Sequence, residues 1–125
     1  MIVLDSSAWL EFFVDGPHAR KIAPRMRDLS IVATSSIALY EVYKWLKRER
    51  SEEDALLAVA AMKQTRIVDV TDEIALTAAD LSLSLRLPMA DSVMLATARA
   101  QNAELVTTDS DFEGIPGVIL LSKKS

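Results

Sequence analysis

Met1-Ile2-Val3-Leu4-Asp5-Ser6-Ser7 begins the chain: an apolar run containing β-branched Ile2 and Val3, then an acid, then two small hydroxyl residues. The spacing turns helical at once, with Ala8, Trp9, Phe12 and Phe13 recurring on one side. A continuous apolar run feeding a helical pattern reads as a buried strand followed by a helix. Strands that are apolar on both faces belong to parallel sheets covered by helices on each side. In such sheets ligands bind outside the carboxyl ends of the strands, which is where Asp5 would stand.

The same alternation continues along the chain. The spacing predicts helices over residues 6–14 and 18–28, with Pro17 suited to the first turn of the second. A strand over 31–34 leads into a helix capped by Ser35 or Ser36 and running to about residue 50. Ser51-Glu52-Glu53-Asp54 opens another helix by capping-box logic. A third strand is expected over 67–70, a helix from Thr71 to about Arg86, and a break at Pro88 that restarts a helix over 89–102. Strands over 105–107 and 118–121 flank a loop, and residues 122–125 read as a polar, mobile tail. Alternating strands and helices with right-handed crossovers imply a parallel α/β sheet covered on both faces. Spacing alone leaves the strand order open.

Bulk properties narrow the function. A chain of 125 residues suits a single domain over 1–125, large enough for a real core. The absence of cysteine excludes disulfides and thiolate metal sites, and one histidine excludes any site built on two imidazoles. No secretory leader or apolar run of membrane-spanning length is apparent, so a cytoplasmic protein with no membrane partner is expected. A net charge of −4 argues against broad electrostatic binding to duplex nucleic acid. It leaves room for a local basic rim, or for a site where bound cations supply the positive charge.

Several acids sit where an apolar or structural residue would be easier. Asp5 follows the first strand, Glu41 interrupts the apolar run from Ile37 to Tyr43, Asp91 lies between Ala90 and Ser92, and Asp109 and Asp111 follow the fourth strand. Each has an ordinary explanation. Asp5 could cap a helix, Glu41 could pair with Lys44, Asp91 could favour a helix dipole, and Asp109 and Asp111 could shape a turn. Their joint position at one end of the sheet suggests more. Two carboxylates about 6 Å apart repel by roughly 3 kcal/mol at an effective dielectric near 20, so four together would cost on the order of 15 kcal/mol. That rivals the stability of a whole domain. A divalent cation removes the repulsion while leaving the acids ionised, and an all-oxygen donor set suits Mg²⁺ or Mn²⁺. Such sites support phosphoryl transfer and phosphodiester hydrolysis.

Four short stretches, I-V-L-D-S-S at 2–7, Tyr40-Glu41-Val42, M-A-D-S-V-M-L-A-T-A at 89–98 and L-V-T-T-D-S-D-F at 105–112, together resemble the PIN-domain ribonucleases. Among those, the pattern is similar to the VapC-type toxins of prokaryotic type II (VapBC) toxin–antitoxin pairs. The likeness covers essentially the whole chain. It implies a PIN-like three-layer α/β/α fold with a parallel five-stranded sheet, and a Mg²⁺- or Mn²⁺-dependent endoribonuclease that inhibits growth until its antitoxin neutralises it. By motif match, Asp5, Glu41, Asp91 and Asp109 take the catalytic, metal-binding positions, Asp111 joins as an outer metal position, and Ser6 and Thr107 take the hydroxyl positions beside the acids. A VapB-type antitoxin, an RNA substrate and a homodimer are the partners it implies.

Two other readings stand beside this one. A receiver-type signalling domain shares the length and acidic Mg²⁺ chemistry, but would want adjacent acids after the first strand and a lysine near residues 107–111, both missing here. A non-catalytic PIN-like scaffold that binds RNA or a partner has no sequence feature against it. Arg20, Lys21, Arg25 and Arg27, and then Lys44, Lys47, Arg48 and Arg50, form basic runs that are either solvated faces or an RNA phosphate rim. Trp9, Phe12, Phe13, Tyr40, Tyr43 and Trp45 are many aromatics for two adjacent helices, which suggests a partner surface. His18 reads as incidental.

Overall fold

The strand β1 (Ile2–Leu4) lies at the centre of a five-stranded sheet in the computed structural model, which describes residues 1–121. Around it run β2 (Val32–Ser35), β3 (Arg66–Val68), β4 (Glu104–Thr107) and β5 (Val118–Leu120). The order is β3-β2-β1-β4-β5, and every pairing is parallel. The helices are α1 (Ser6–Phe13), α2 (Ala19–Ile22), α3 (Ser36–Glu49), α4 (Glu52–Met62), α5 (Asp72–Leu85) and α6 (Met89–Ala100). From β1 the chain steps outward to β2 and β3, then crosses back over β1 to β4 and β5. Right-handed crossovers therefore place α1–α4 on one face and α5–α6 on the other. The direction of winding reverses between β1 and β4, the position where open α/β sheets bind ligands.

The core explains the apolar strands. Val3, Leu4, Val32, Ala33, Leu105 and Val106 are all fully buried, covered from the helices by Trp9, Val42, Met62, Met94 and Leu95. Helix starts follow the hydroxyl and acid pattern. Ser35, Ser51 and Thr71 accept backbone N–H bonds from Ile37, Asp54 and Ile74 at 3.3, 3.0 and 3.2 Å. Ser35, rather than Ser36, caps α3.

The second helix departs from its expected span. Instead of a helix over 18–28, α2 stops at Ile22 and gives way to a 3₁₀ turn at Ala23–Met26, with another at Leu29–Ile31. Pro24 has no N–H to donate, and its ring clashes with the carbonyl four residues back, so an α-helix cannot pass through it. Pro17 does not open α2 either; His18 occupies the capping position. Smaller shifts move β2 to Val32–Ser35 and β3 to Arg66–Val68. The polar tail over 122–125 lies outside the described residues.

Trp9 is core, 1% exposed and stacked on Phe13 at 5.4 Å, so the first-helix aromatics cover one another more than they await a partner. Tyr40 is the exception at 62% exposed. His18 is buried beside Glu11, whose Oε2 accepts the His18 backbone N–H at 3.0 Å. Gly16 makes this possible, because a Cβ there would meet the Glu11 carboxylate at 2.1 Å.

Candidate active site

Asp5 ends β1 at the winding reversal and does two jobs. Its Oδ1 caps α1 by accepting the Ala8 N–H at 3.0 Å. The same oxygen accepts from Ser7 Oγ at 2.6 Å, while Oδ2 accepts from Thr107 Oγ1 at 2.5 Å. Both hydroxyls are steered by the β4 loop. Thr107 Oγ1 accepts the Asp109 N–H at 3.0 Å, and Ser7 Oγ accepts the Thr108 N–H at 3.1 Å. With their lone pairs so used, both protons point at Asp5, binding the ends of β1 and β4 together. Burial pushes the Asp5 carboxyl up from its ordinary value; the three hydrogen bonds pull against this, and the Asp109 charge adds to it.

Asp91 enters from the first turn of α6, and Asp109 and Asp111 from the loop after β4. One carboxylate oxygen from each of these three lies within 4.8 Å of the others. Asp109 Oδ1 also accepts the Asp111 N–H at 2.9 Å, which folds the loop so that both acids face α6. Asp91 is raised to about 7, first by burial, then by the Asp109 charge and a hydrogen bond with that carboxyl, with Asp5 and Asp111 adding smaller repulsions. The ion pairs Lys47–Glu52 and Arg48–Glu49 lie elsewhere, on the exposed surface.

Glu41 stands to one side. It does not belong to the three-carboxylate group, and its Oε1 accepts from Ser6 Oγ at 2.6 Å. Ser6 follows Asp5 directly, so the hydroxyl ties α3 to the end of β1. The i+3 pairing of Glu41 with Lys44 is replaced: Lys44 donates to the Tyr40 hydroxyl instead. The hydroxyl positions beside the acids thus number three among these residues, and Ser7 is the one that sequence reasoning passed over. Its signal was the doubled serine after Asp5, where only the first was given a role.

The donor set suits a hard divalent cation. Asp91, Asp109 and Asp111 offer oxygens close enough to share one ion, Asp5 lies next to them electrostatically, and none is a sulfur or imidazole donor. Burial comes first in raising both Asp5 and Asp91, and the Asp109 charge adds to each.

A PIN-domain family model matches residues 2–118. The chain belongs to the PIN-domain family. Solved structures of similar fold include a chain of a toxin–antitoxin complex from Klebsiella pneumoniae, at TM-score 0.80 and 26% identity, covering 95% of this chain and 96% of the other. Another is VapC20 of Mycobacterium tuberculosis, a toxin that cleaves the sarcin–ricin loop, at TM-score 0.74 and 21% identity over 93% of this chain and 95% of that one. A third is from the VapBC2 complex of Rickettsia felis bound to a fragment of its promoter, at TM-score 0.74 and 21% identity, covering 97% and 98%. No curated protein matches the chain by sequence. The five-stranded parallel sheet and its flanking helices are thus the PIN fold, and the acid end of the sheet lies at its winding reversal.

Proposed function

We propose that this PIN-domain chain is a divalent-cation-dependent endoribonuclease and the toxin of a toxin–antitoxin pair. The observation that carries the reading is the gathering of Asp91, Asp109 and Asp111 within 4.8 Å, beside buried Asp5, at the sheet's winding reversal. The solved toxin–antitoxin structures of the same fold support the biological setting. In this reading Asp91, Asp109 and Asp111 hold Mg²⁺ or Mn²⁺, Asp5 supports them from the buried end of β1, and Glu41 stands beside them on α3, held by Ser6. A cation bound there supplies Lewis acidity and offsets charge on a phosphate.

The chain's own residues do the rest. Ser7 and Thr107 hold the Asp5 carboxylate in one orientation, so that its remaining lone pairs have a set direction. Ser6 holds Glu41 from swinging into solvent. Hydrolysis adds water across one P–O bond of the RNA backbone, leaving one strand with a phosphate and the other with a hydroxyl. Such a protein would act in the cytoplasm, under a VapB-type antitoxin and as a homodimer. No helix among the described residues is long and apolar enough to cross a membrane.

The test is cleavage of a mixed cellular RNA pool by purified protein, with Mg²⁺ or Mn²⁺, with EDTA, and with Asp91→Asn in place of the wild type. Metal-dependent cutting that the substitution abolishes supports the reading. Cutting that survives both EDTA and Asp91→Asn removes the site assignment, and silence with either metal favours a binding scaffold.

A further inference from the structure

The helix α3 has two unlike faces. Ala38, Val42 and Leu46 are buried in the core, while Tyr40, Lys44, Lys47 and Arg48 face solvent. In a chain of net charge −4, residues 44–50 carry four of the 14 lysines and arginines. These cations are interleaved with tyrosines at helical spacing. Lys44 Nζ lies 3.3 Å from the Tyr40 hydroxyl, and Lys47 Nζ lies 3.3 Å from that of Tyr43. Each ammonium is 5.4 Å from its ring centre, which places it out past the phenol oxygen rather than above the ring. Neither amine covers the face of its tyrosine.

This strip connects to the acids. A hollow of about 240 Å³ is lined by Ser6 and Leu10 of α1 and by Tyr40, Glu41, Lys44, Trp45 and Arg48 of α3. A second hollow shares Tyr40, Lys44 and Arg48 with the first and continues to Tyr43 and Lys47. The residues shared and added run along α3 for about 10 Å by helical rise, from the Ser6–Glu41 hydrogen bond onward. Lys47 is paired with Glu52 and the Arg48 Nε with Glu49, each at 3.5 Å on the exposed surface, whereas among the described residues the amine of Lys44 meets a phenol.

We propose that the outer face of α3 binds single-stranded RNA flanking the cleavage point, with Lys44 and Arg48 on its phosphates and Tyr40 stacked on an unpaired base. The inference rests on the nuclease reading for its placement beside Glu41. The combination favours RNA over a protein partner. Cations alone would take any anion, but cations alternating with open aromatic faces match a polymer that alternates phosphates with bases. Single strands fit better than duplex, because only unpaired bases offer a free face.

The probe is a fluorescent single-stranded RNA oligomer of mixed sequence. Its anisotropy is followed with the full chain carrying Asp109→Asn, so that nothing is cut. Lys44→Ala with Arg48→Ala should weaken binding about tenfold at low salt and lower the slope of log K against log salt by about 1.4, or 0.7 for each lost phosphate contact. Tyr40→Ala should weaken binding several-fold and leave the salt slope unchanged, and a hairpin duplex of equal length should bind less well than the single strand. All three positions are exposed, so thermal melts should match the parent. RNA binding that neither variant weakens overturns the proposal, as does a parent that binds no single strand. The nuclease reading is scored separately. In the otherwise wild-type chain, Lys44→Ala with Arg48→Ala should raise KM and leave kcat near its original value. Unchanged KM with active cleavage removes the strip and keeps the nuclease. Weakened binding in a chain that never cuts removes the nuclease and keeps the strip.

Discussion

Asp5 and Asp91 are both acids at the same end of the sheet, yet they are held in opposite ways. Asp5 is 4% exposed and receives three hydrogen bonds, from Ser7, Thr107 and the Ala8 N–H. Asp91 is half-buried against two further carboxylates and is raised to about 7, first by burial and then by the Asp109 charge and hydrogen bond. Asp5 is therefore part of the fold as well as the site: it caps α1 and ties β1 to β4. Asp91, Asp109 and Asp111 contribute repulsion to the metal-free fold, roughly 1–3 kcal/mol for each close pair after allowing for solvent. The difference separates acids that the structure needs from acids that the structure tolerates. Sites of the second kind oppose folding and persist for what they bind.

That contrast can be broken by substitution. Asp109→Asn keeps an acceptor for the Asp111 N–H but removes one charge from the crowded group. We expect at least a 100-fold loss of RNA cleavage, larger than is usual for residues behind metal ligands, together with a rise of about 2–5 °C in the melting temperature of the metal-free protein. Asp5→Ala should also abolish cleavage, but with the opposite effect on the fold. It deletes a helix cap and strands two hydroxyl donors, so denaturant unfolding should show a loss of about 1–3 kcal/mol. If both substitutions moved stability the same way, the distinction between the two acids would be wrong.

Ser7→Ala probes the link between them. It removes one donor to Asp5 and the acceptor of the Thr108 N–H, and should cost about 1 kcal/mol and up to tenfold in cleavage. An effect on cleavage without one on stability would mean that Ser7 orients the site without fastening the strands.

The pH dependence is gentler and follows from the direction of the shifts. Asp91 and Asp5 are both raised above their ordinary values, so the folded metal-free chain holds protons that the unfolded chain releases. The Asp91 contribution to stability is fully present below about pH 4 and is lost as pH rises through about 7, and Asp5 acts in the same direction. The metal-free protein should therefore melt lower at pH 8 than at pH 5.5. Cation affinity should run the other way, climbing towards pH 7 as the Asp91 proton is displaced. Calorimetry in two buffers of different ionisation enthalpy would detect the released proton.

The sheet was legible because β1, β2 and β4 each carry consecutive apolar residues, Val3-Leu4, Val32-Ala33 and Leu105-Val106, that are buried whichever face they point to. The strand order was not, since parallel strands on either side of β1 look alike in sequence. Pro24 was in plain view, yet Pro17 as a helix opener led the expected helix straight through it; the missing N–H decided otherwise. Asp5, Asp91, Asp109 and Asp111 were visible as acids out of place. Their division into a hydrogen-bonded member and a crowded group was not, because it depends on Ser7 and Thr107 meeting across the ends of two strands far apart in sequence. Glu41 shows the same limit. Its partner could have been Lys44 on its own helix, and only the approach of α1 brings Ser6 within 2.6 Å.

The measurement that tests the central claim most directly is a thermal melt of wild type and Asp109→Asn, each titrated with Mn²⁺ at pH 7.5. The claim is that crowded carboxylates destabilise the metal-free fold and are relieved by one cation. The variant should melt above the wild type in EDTA, and the order should reverse as Mn²⁺ saturates the wild type alone. Curves that stay parallel, with Mn²⁺ raising both equally or neither, would contradict a cation site built on these acids.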